Sequence, residues 1–222
     1  PIALDNIAMV QNFLGGADEN WFVLIHVAIE AEAGRALELA CELVDCAAQQ
    51  DGAGATARLT EMAGVWARIN AIFDRMPERC DPYIYYQRVR PYIHGWANNP
   101  ALPNGLIYEG VEKFGGKGQA FRGQTGSQSS IVPAMDALFG VAHSNDPLRA
   151  YLDELHRYRP VLTLVAVFRS RHLEYAASYI NKQASSGAGN DPDVGTGGTP
   201  FMKYLKKHRD ENRASLLENL VA

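Results

Sequence analysis

The stretch WFVLIHVAIEAEAGRALELACELVDCAAQ, residues 21–49, decides the fold class of this chain. Its apolar residues return every three or four positions, which is the period of a helix, and Asp18 stands where a capping residue would begin it. The first half is apolar on nearly every side, which indicates a helix at the centre of a core. We therefore expect an all-α protein that is built around this helix.

The rest of the chain is also helical in period. Residues 59–76 repeat the pattern up to Pro77, and Asp81-Pro82 is typical of a helix start. Pro91 is expected to kink or end the helix that follows. Further helices are predicted over residues 130–141, 146–155, 160–180 and 200–221.

No segment alternates with a period of two over a useful length, so no strand is expected. Two glycine-rich stretches, residues 115–127 and 185–199, interrupt the helices, and loops of this length in a compact domain are usually functional or mobile. The sequence predicts one helical domain of about seven helices over residues 1–222.

Composition and charge limit the classes of partner that we expect for this chain. The 222 residues carry 21 Lys and Arg against 25 Asp and Glu, a net charge of −4, which gives no electrostatic footprint for nucleic acid or an anionic membrane. Three cysteines without zinc-site spacing indicate reduced thiols and a cytoplasmic chain. No apolar run reaches the 18 or so residues that a membrane span needs.

His172 lies in an apolar helical face that it shares with Val161, Leu164, Val165, Phe168, Tyr175 and Tyr179. Such a histidine is either a satisfied core residue or an axial ligand of haem, whose flat apolar ring needs a stripe of this kind. Arg169, one turn earlier, is either in a surface ion pair or within reach of a haem propionate.

His26 is a second histidine inside an apolar helix, where Phe22, His26 and Glu30 stack along one side. The two histidines either face one another across a flat cofactor or are unrelated core residues, and their spacing does not decide between these readings.

Arg90 lies in the aromatic segment YIYYQRVRPYIHGW, residues 83–96. A planar guanidinium among aromatic rings suits a ligand carboxylate, and a salt bridge to a neighbouring helix is the alternative. GTGGT, residues 195–199, offers backbone N–H groups and hydroxyls. The phosphate-binding patterns GxxxxGK[ST] and GxGxxG are absent.

Six segments taken in order resemble the successive signatures of the haem-containing indoleamine 2,3-dioxygenase family: WFVLIHVAIEAEA, RVRPYIHGW, NGLIYEGV, FRGQTGSQSS, FRSRHLEYAASYI and GTGGTPFMKYLK. The resemblance implies an all-helical catalytic domain with haem b as cofactor and O₂ as co-substrate. It also implies insertion of both oxygen atoms across the C2–C3 bond of an indole, which converts tryptophan into N-formylkynurenine in the kynurenine pathway.

On the haem side, the resemblance places His172 as the proximal iron ligand. Arg169 matches the family's arginine near a propionate, and Asp136 matches a buried aspartate close to it. Thr125 and Gly126 match the loop over the haem edge.

On the substrate side, the resemblance assigns five residues: Phe22, Tyr85, Arg90, Thr196 and Thr199. Phe22 and Tyr85 would pack on the indole, Arg90 would bind the carboxylate, and the two threonines would reach the amino-acid end. His26 takes a distal position where related tryptophan dioxygenases have a histidine that accepts the indole N–H. We expect it to do the same and not to act as a second iron ligand.

Two departures accompany the resemblance. The family's small N-terminal domain has no counterpart in the sequence, and the stretch from Arg157 to His172 is shorter than expected. Two other outcomes stay open: a haem monooxygenase that forms an oxindole-type product, and a haem protein that binds a gas without turnover. The expected partner is a small indole, and the need for a reductant is left open.

Overall fold

The computed structural model describes the backbone of residues 1–123, 129–141, 163–186, 193–195 and 200–221. Its helices there are α1 (Ala17–Ala48), α2 (Gly52–Asp74), α3 (Pro82–Ile84), α4 (Arg90–Ile93), α5 (Ile131–Leu138), α6 (Thr163–Tyr179) and α7 (Phe201–Val221), with a π-helical turn at Tyr85–Val89. Short 3₁₀ turns occupy Met76–Glu78, Glu112–Phe114 and Asn181–Ser186.

The predicted all-α class is confirmed. In these ranges the only β-type pairings are two isolated bridges, Leu106 with Gln119 and Val194 with Pro200. None of the helices in the same ranges is long and apolar enough to cross a membrane. The helix predicted over residues 146–155 lies outside the described residues.

The core forms where α1 packs along α2. Each helix buries one stripe at helical spacing: Trp21, Ile25, Ile29, Ala33, Ala36 and Leu39 from α1, and Met62, Val65, Trp66, Ile69 and Phe73 from α2. The Trp21 indole N–H donates to the Arg75 carbonyl at 2.8 Å, which ties the start of α1 to the end of α2.

The start of α1 differs from the sequence-based expectation. Gly16 holds the N-cap position with φ 115°, a backbone conformation that favours glycine, and Asp18 lies inside the first turn. Its carboxylate instead accepts the backbone N–H of Asp81 at 2.7 Å. Asp18 therefore joins α1 to the chain that leads into α3, and its role as a cap was wrongly predicted.

The face of α1 that carries His26 is also less enclosed than the sequence suggests. His26 and Val27 are exposed, while Ile25 and Ala28 beside them are buried. One side of this helix packs in the core, and the side that carries His26 and Val27 is exposed.

The expected disturbance at Pro91 takes the form of a π-helical turn. Asp81 caps the helix start as predicted, with its carboxylate accepting the N–H groups of Tyr83 and Ile84. Proline has no N–H, and its ring conflicts with the carbonyl four residues earlier. The backbone widens just before Pro91, so that the Arg90 N–H bonds to the Tyr85 carbonyl, and α4 begins there.

In the loop between α4 and α5, the chain near Phe121 comes back to contact the beginning of the loop. The N–H groups of Trp96 and Ala97 both donate to the Phe121 carbonyl, at 2.7 and 3.1 Å. Gly95 lies so close to the returning loop segment that a Cβ atom on residue 95 would be 2.0 Å from the Gly123 nitrogen. This contact fixes the chain immediately before residue 124.

Candidate functional site

Three aromatic side chains from α1 and the π-helical turn form a continuous row. The ring centroids of Phe22 and His26, one turn apart on α1, are 4.6 Å apart, and those of Phe22 and Tyr85 are 4.7 Å apart. Tyr85 is buried and Phe22 is half-buried. The row brings together three residues that the sequence assigned to one pocket.

The hydrogen bond of His26 fixes its tautomer. Its Nδ1 lies 2.7 Å from the Phe22 carbonyl oxygen, which can only accept, so Nδ1 carries the proton and Nε2 keeps a free lone pair. Burial lowers the pKa of His26, although the Phe22 carbonyl and Glu30 act to raise it. Its ring is nonetheless exposed to solvent. The direction of the pKa shift follows from the protein atoms around the ring, and the exposed surface leaves part of the residue open to solvent.

His172 on α6 is a neutral imidazole at pH 7. Burial, together with the positive charges that His26 and Arg169 can carry, lowers its pKa to about 4. Its ring centroid lies 6.5 Å from that of Phe73. A charge on His26 acts electrostatically on His172, although the two histidines lie on helices that are far apart in sequence.

Arg169 and Asp136 form a buried ion pair that joins α6 to α5. Arg169 is 7% exposed and Asp136 is 6% exposed, so the alternative of a surface ion pair for Arg169 does not hold. The pair lies one helical turn from His172, which places a fixed positive group on the side of the site that α6 forms.

Arg90 is fully buried beside the aromatic row. Its guanidinium stands 5.6 Å from the ring centroid of Tyr86, and its Nη2 donates to the Val194 carbonyl at 2.6 Å. Burial raises the pKa of Tyr85 to about 12 and the charge of Arg90 opposes that rise, so Arg90 acts electrostatically on Tyr85. The sequence had offered a ligand carboxylate or a neighbouring helix as partners, and the structure adds a backbone carbonyl.

Four predicted site residues lie outside the described residues: Thr125, Gly126, Thr196 and Thr199. Their flanks are described, at Gly123 before the first pair and at Val194 and Pro200 around the second. These flanks are fixed by the Gly95 contact and by the Val194–Pro200 bridge.

Two further aromatic residues contact the site and were predicted only as core. The Phe73 ring lies 4.8 Å from that of Phe168 and 5.0 Å from that of Tyr175, next to His172. The Tyr179 ring lies 5.8 Å from that of Tyr85, and its hydroxyl donates to the Cys80 carbonyl at 2.7 Å. Helical spacing placed both in apolar stripes, but it could not show which ring each one meets.

A haem differs from a bare metal ion in the protein ligands that it needs. Among the described residues, no three His, Cys, Asp or Glu side chains come together as a site for a bare metal ion. A haem iron takes four nitrogens from its macrocycle and needs one or two side chains, and a neutral histidine is a common choice. The side chains of His172 and Arg169 therefore fit the iron and the propionate of a haem.

Comparisons with known proteins give the same family as the sequence motifs. The family described as indoleamine 2,3-dioxygenase matches residues 1–163. The yeast Saccharomyces cerevisiae indoleamine 2,3-dioxygenase is 25% identical over 96% of this chain and 62% of its own length. Indoleamine 2,3-dioxygenase acdA of Aspergillus candidus is 28% identical over 93% of this chain and 61% of its own.

The rat indoleamine 2,3-dioxygenase 1 is 26% identical over 98% of this chain and 64% of its own length. The chain thus spans about three fifths of the length of the curated relatives that it matches. The aligned region of the yeast protein covers 285 positions against the 222 residues here, so that relative carries segments without a counterpart in this sequence. The family match covers most of the chain, and the chain belongs to the indoleamine 2,3-dioxygenase family.

Proposed function

We propose that this chain provides the haem-binding catalytic domain of a dioxygenase that inserts both atoms of O₂ across the indole C2–C3 bond of tryptophan or a tryptophan derivative. The observation that carries the proposal is the row of rings formed by Phe22, His26 and Tyr85. With it goes His172, a neutral imidazole on a separate helix whose pKa a charge on His26 helps to lower. A flat cofactor between the two helices and an aromatic substrate beside it make use of every member of this arrangement.

Haem b is held in this proposal by His172 and Arg169. The lowered pKa of His172 leaves its imidazole uncharged, which is the form that binds iron. Asp136 holds Arg169 in place, so the guanidinium is oriented before a propionate arrives. Thr125 and Gly126, which match the family's loop over the haem, would lie at the haem edge. Bound haem supplies the O₂ chemistry, and the protein supplies position and exclusion of water.

The substrate lies against Phe22 and Tyr85, whose rings already contact one another and offer a flat apolar wall to an indole. The Nε2 lone pair of His26 accepts the indole N–H, because Nδ1 is already committed to the Phe22 carbonyl. Arg90 binds the carboxylate, and Thr196 and Thr199 bind the amino-acid end. These contacts orient the indole, which is the main contribution that a protein makes when the reaction itself needs little acid–base chemistry.

The mass of the product tests the proposal. The purified full chain, supplied with haem and a reductant, is incubated with L-tryptophan under ¹⁸O₂, with free haem alone as the control. We expect a product that carries two labelled atoms. A product with one labelled atom would identify a monooxygenase instead, and reversible O₂ binding without any product would identify a gas-binding protein.

A further inference from the structure

The two ends of the GTGGT segment are held together by the antiparallel bridge between Val194 and Pro200. The carbonyl of Val194 accepts a hydrogen bond from Arg90, which is 104 residues away in the chain. The bridge is therefore attached to the turn that also presents Tyr85 and Tyr86.

Arg90 is a rigid point of attachment. Its side chain has no exposed surface and its guanidinium packs over the buried ring of Tyr86. The π-helical turn that ends at Val89 sets its direction, since the Arg90 N–H is bonded to the Tyr85 carbonyl. Arg88, two residues earlier in the same turn, is exposed and provides a natural comparison.

We infer that Arg90 is a positioning residue for the Val194–Pro200 bridge, in addition to the carboxylate contact proposed above. A charged N–H donor binds a carbonyl about twice as strongly as a neutral donor, and more so where water is excluded. The Arg90 guanidinium thus fixes the point at which the GTGGT segment begins. Only the effect on substrate rests on the proposed function, because the attachment itself needs neither haem nor indole.

The planar guanidinium of Arg90 would thus have two partners, the Val194 carbonyl and a substrate carboxylate. The Nη2 atom is committed to Val194, so a carboxylate that binds the same guanidinium lies next to the Val194 carbonyl. Ligand contact and the position of the bridge are then coupled through one side chain. Arginine suits this task because its five N–H donors lie in one rigid plane.

Hydrogen exchange of the full-length chain, with mass spectrometry of peptides that cover residues 193–201, tests the attachment without indole. We compare wild type, Arg90→Gln, Arg90→Lys and the matched control Arg88→Gln. The shorter neutral amide of Arg90→Gln removes the charged donor, and we expect exchange to become about tenfold faster or more, as loss of one charge-assisted hydrogen bond allows. Arg88→Gln is expected to match wild type, and Arg90→Lys to recover part of the protection.

Unchanged exchange over residues 193–201 in Arg90→Gln would overturn the inference, provided that peptides from α1 and α2 keep wild-type protection. Equal acceleration in Arg90→Gln and Arg88→Gln would overturn it as well, because the effect would then belong to the turn in general. Should Arg90→Gln fail to fold, Arg90→Lys carries the test through the same peptides: faster exchange than in wild type is expected, and exchange equal to wild type would overturn the inference. A failure of the proposed function leaves these exchange rates untouched and shows instead as a missing product.

Discussion

At the scale of single residues, the two histidines of the site differ in what their surroundings leave free. The Phe22 carbonyl fixes the tautomer of His26, so that its Nε2 faces outward as an acceptor. His172 is kept neutral chiefly by burial, with His26 and Arg169 adding to the effect. One imidazole is thereby suited to a hydrogen bond from an indole and the other to a bond with iron.

The role of His26 leads to the first prediction. His26→Ala removes the proposed acceptor of the indole N–H and should weaken the binding of L-tryptophan by roughly 1–1.5 kcal/mol, which is about five- to thirteenfold. The measurement is calorimetric titration of the haem-loaded protein. 1-Methyl-L-tryptophan, which has no indole N–H, serves as the control ligand, and its affinity should not fall in the variant. An equal loss for both ligands would show that His26 acts on something other than the N–H.

At the scale of secondary-structure elements, local sequence signals predicted the helices well, and the helix ends and connections less well. Asp81-Pro82 gave a capped helix start, as expected from local chemistry. Asp18 was misread, because its carboxylate is used by the backbone of Asp81, a contact between distant segments. The break at Pro91 was foreseen, but its form as a π-helical turn was not, because a proline signals a kink or an end and not the hydrogen bond that forms before it.

The close approach at Gly95 gives a prediction for the loop between α4 and α5. In Gly95→Ala the new Cβ would meet backbone atoms of Phe121, Arg122 and Gly123 at 2.0–2.6 Å, so the returning chain must move. We expect a loss of roughly 1–3 kcal/mol in the free energy of unfolding. Urea unfolding measures it. If Thr125 and Gly126 line the haem edge as proposed, weaker retention of haem should accompany the loss.

Gly64→Ala is the matched control for that substitution. Gly64 lies inside α2, and the nearest atom to an added Cβ is a guanidinium nitrogen of Arg68 at 3.8 Å. Alanine in a helix interior should raise the free energy of unfolding by roughly 0.5–1 kcal/mol. Similar effects of both substitutions would show that the contact between Gly95 and Gly123 contributes nothing particular to stability.

At the scale of the whole molecule, the sequence could not predict which distant segments contact one another. Periodicity placed Phe22, His26 and His172 on apolar helices, and the family likeness proposed their roles. It could not show that the rings of Phe22 and Tyr85 meet, nor that Arg90 reaches the Val194 carbonyl 104 residues away. A backbone carbonyl has no signature in a sequence, so that partner could be found only in the structure.

The stability of the whole fold should depend on pH, and Glu19 is one of the carboxylates responsible. Its buried carboxylate accepts the N–H groups of Phe13, Leu14 and Gly15, and these bonds outweigh the opposing effect of burial, so its pKa is below the ordinary value of 4.5. Hydrogen bonds from Arg35 lower the pKa values of Glu42 and Glu61 in the same direction.

A carboxylate with a lowered pKa stabilises the folded state above its ordinary pKa, and this contribution is lost as the pH falls through the folded-state value. The free energy of unfolding should therefore decrease as the pH falls below about 4.5. Glu19→Gln should be less stable at pH 7 and should lose less on acidification. Urea unfolding of both proteins at pH 7 and pH 3.5 checks this, and parallel curves for the two would contradict the role given to Glu19.

The central claim, that His172 holds haem, is tested most directly by absorption spectra of protein produced with a haem supply, in the ferric and ferrous-CO forms. Wild type and the control His208→Ala, which replaces a histidine of α7 that has no proposed role in haem binding, should show the same strong Soret band. His172→Ala should lose that band and regain it with added imidazole. A wild type without haem, a His172→Ala spectrum equal to wild type, or a low-spin bis-histidine ferric spectrum would contradict this account of the site.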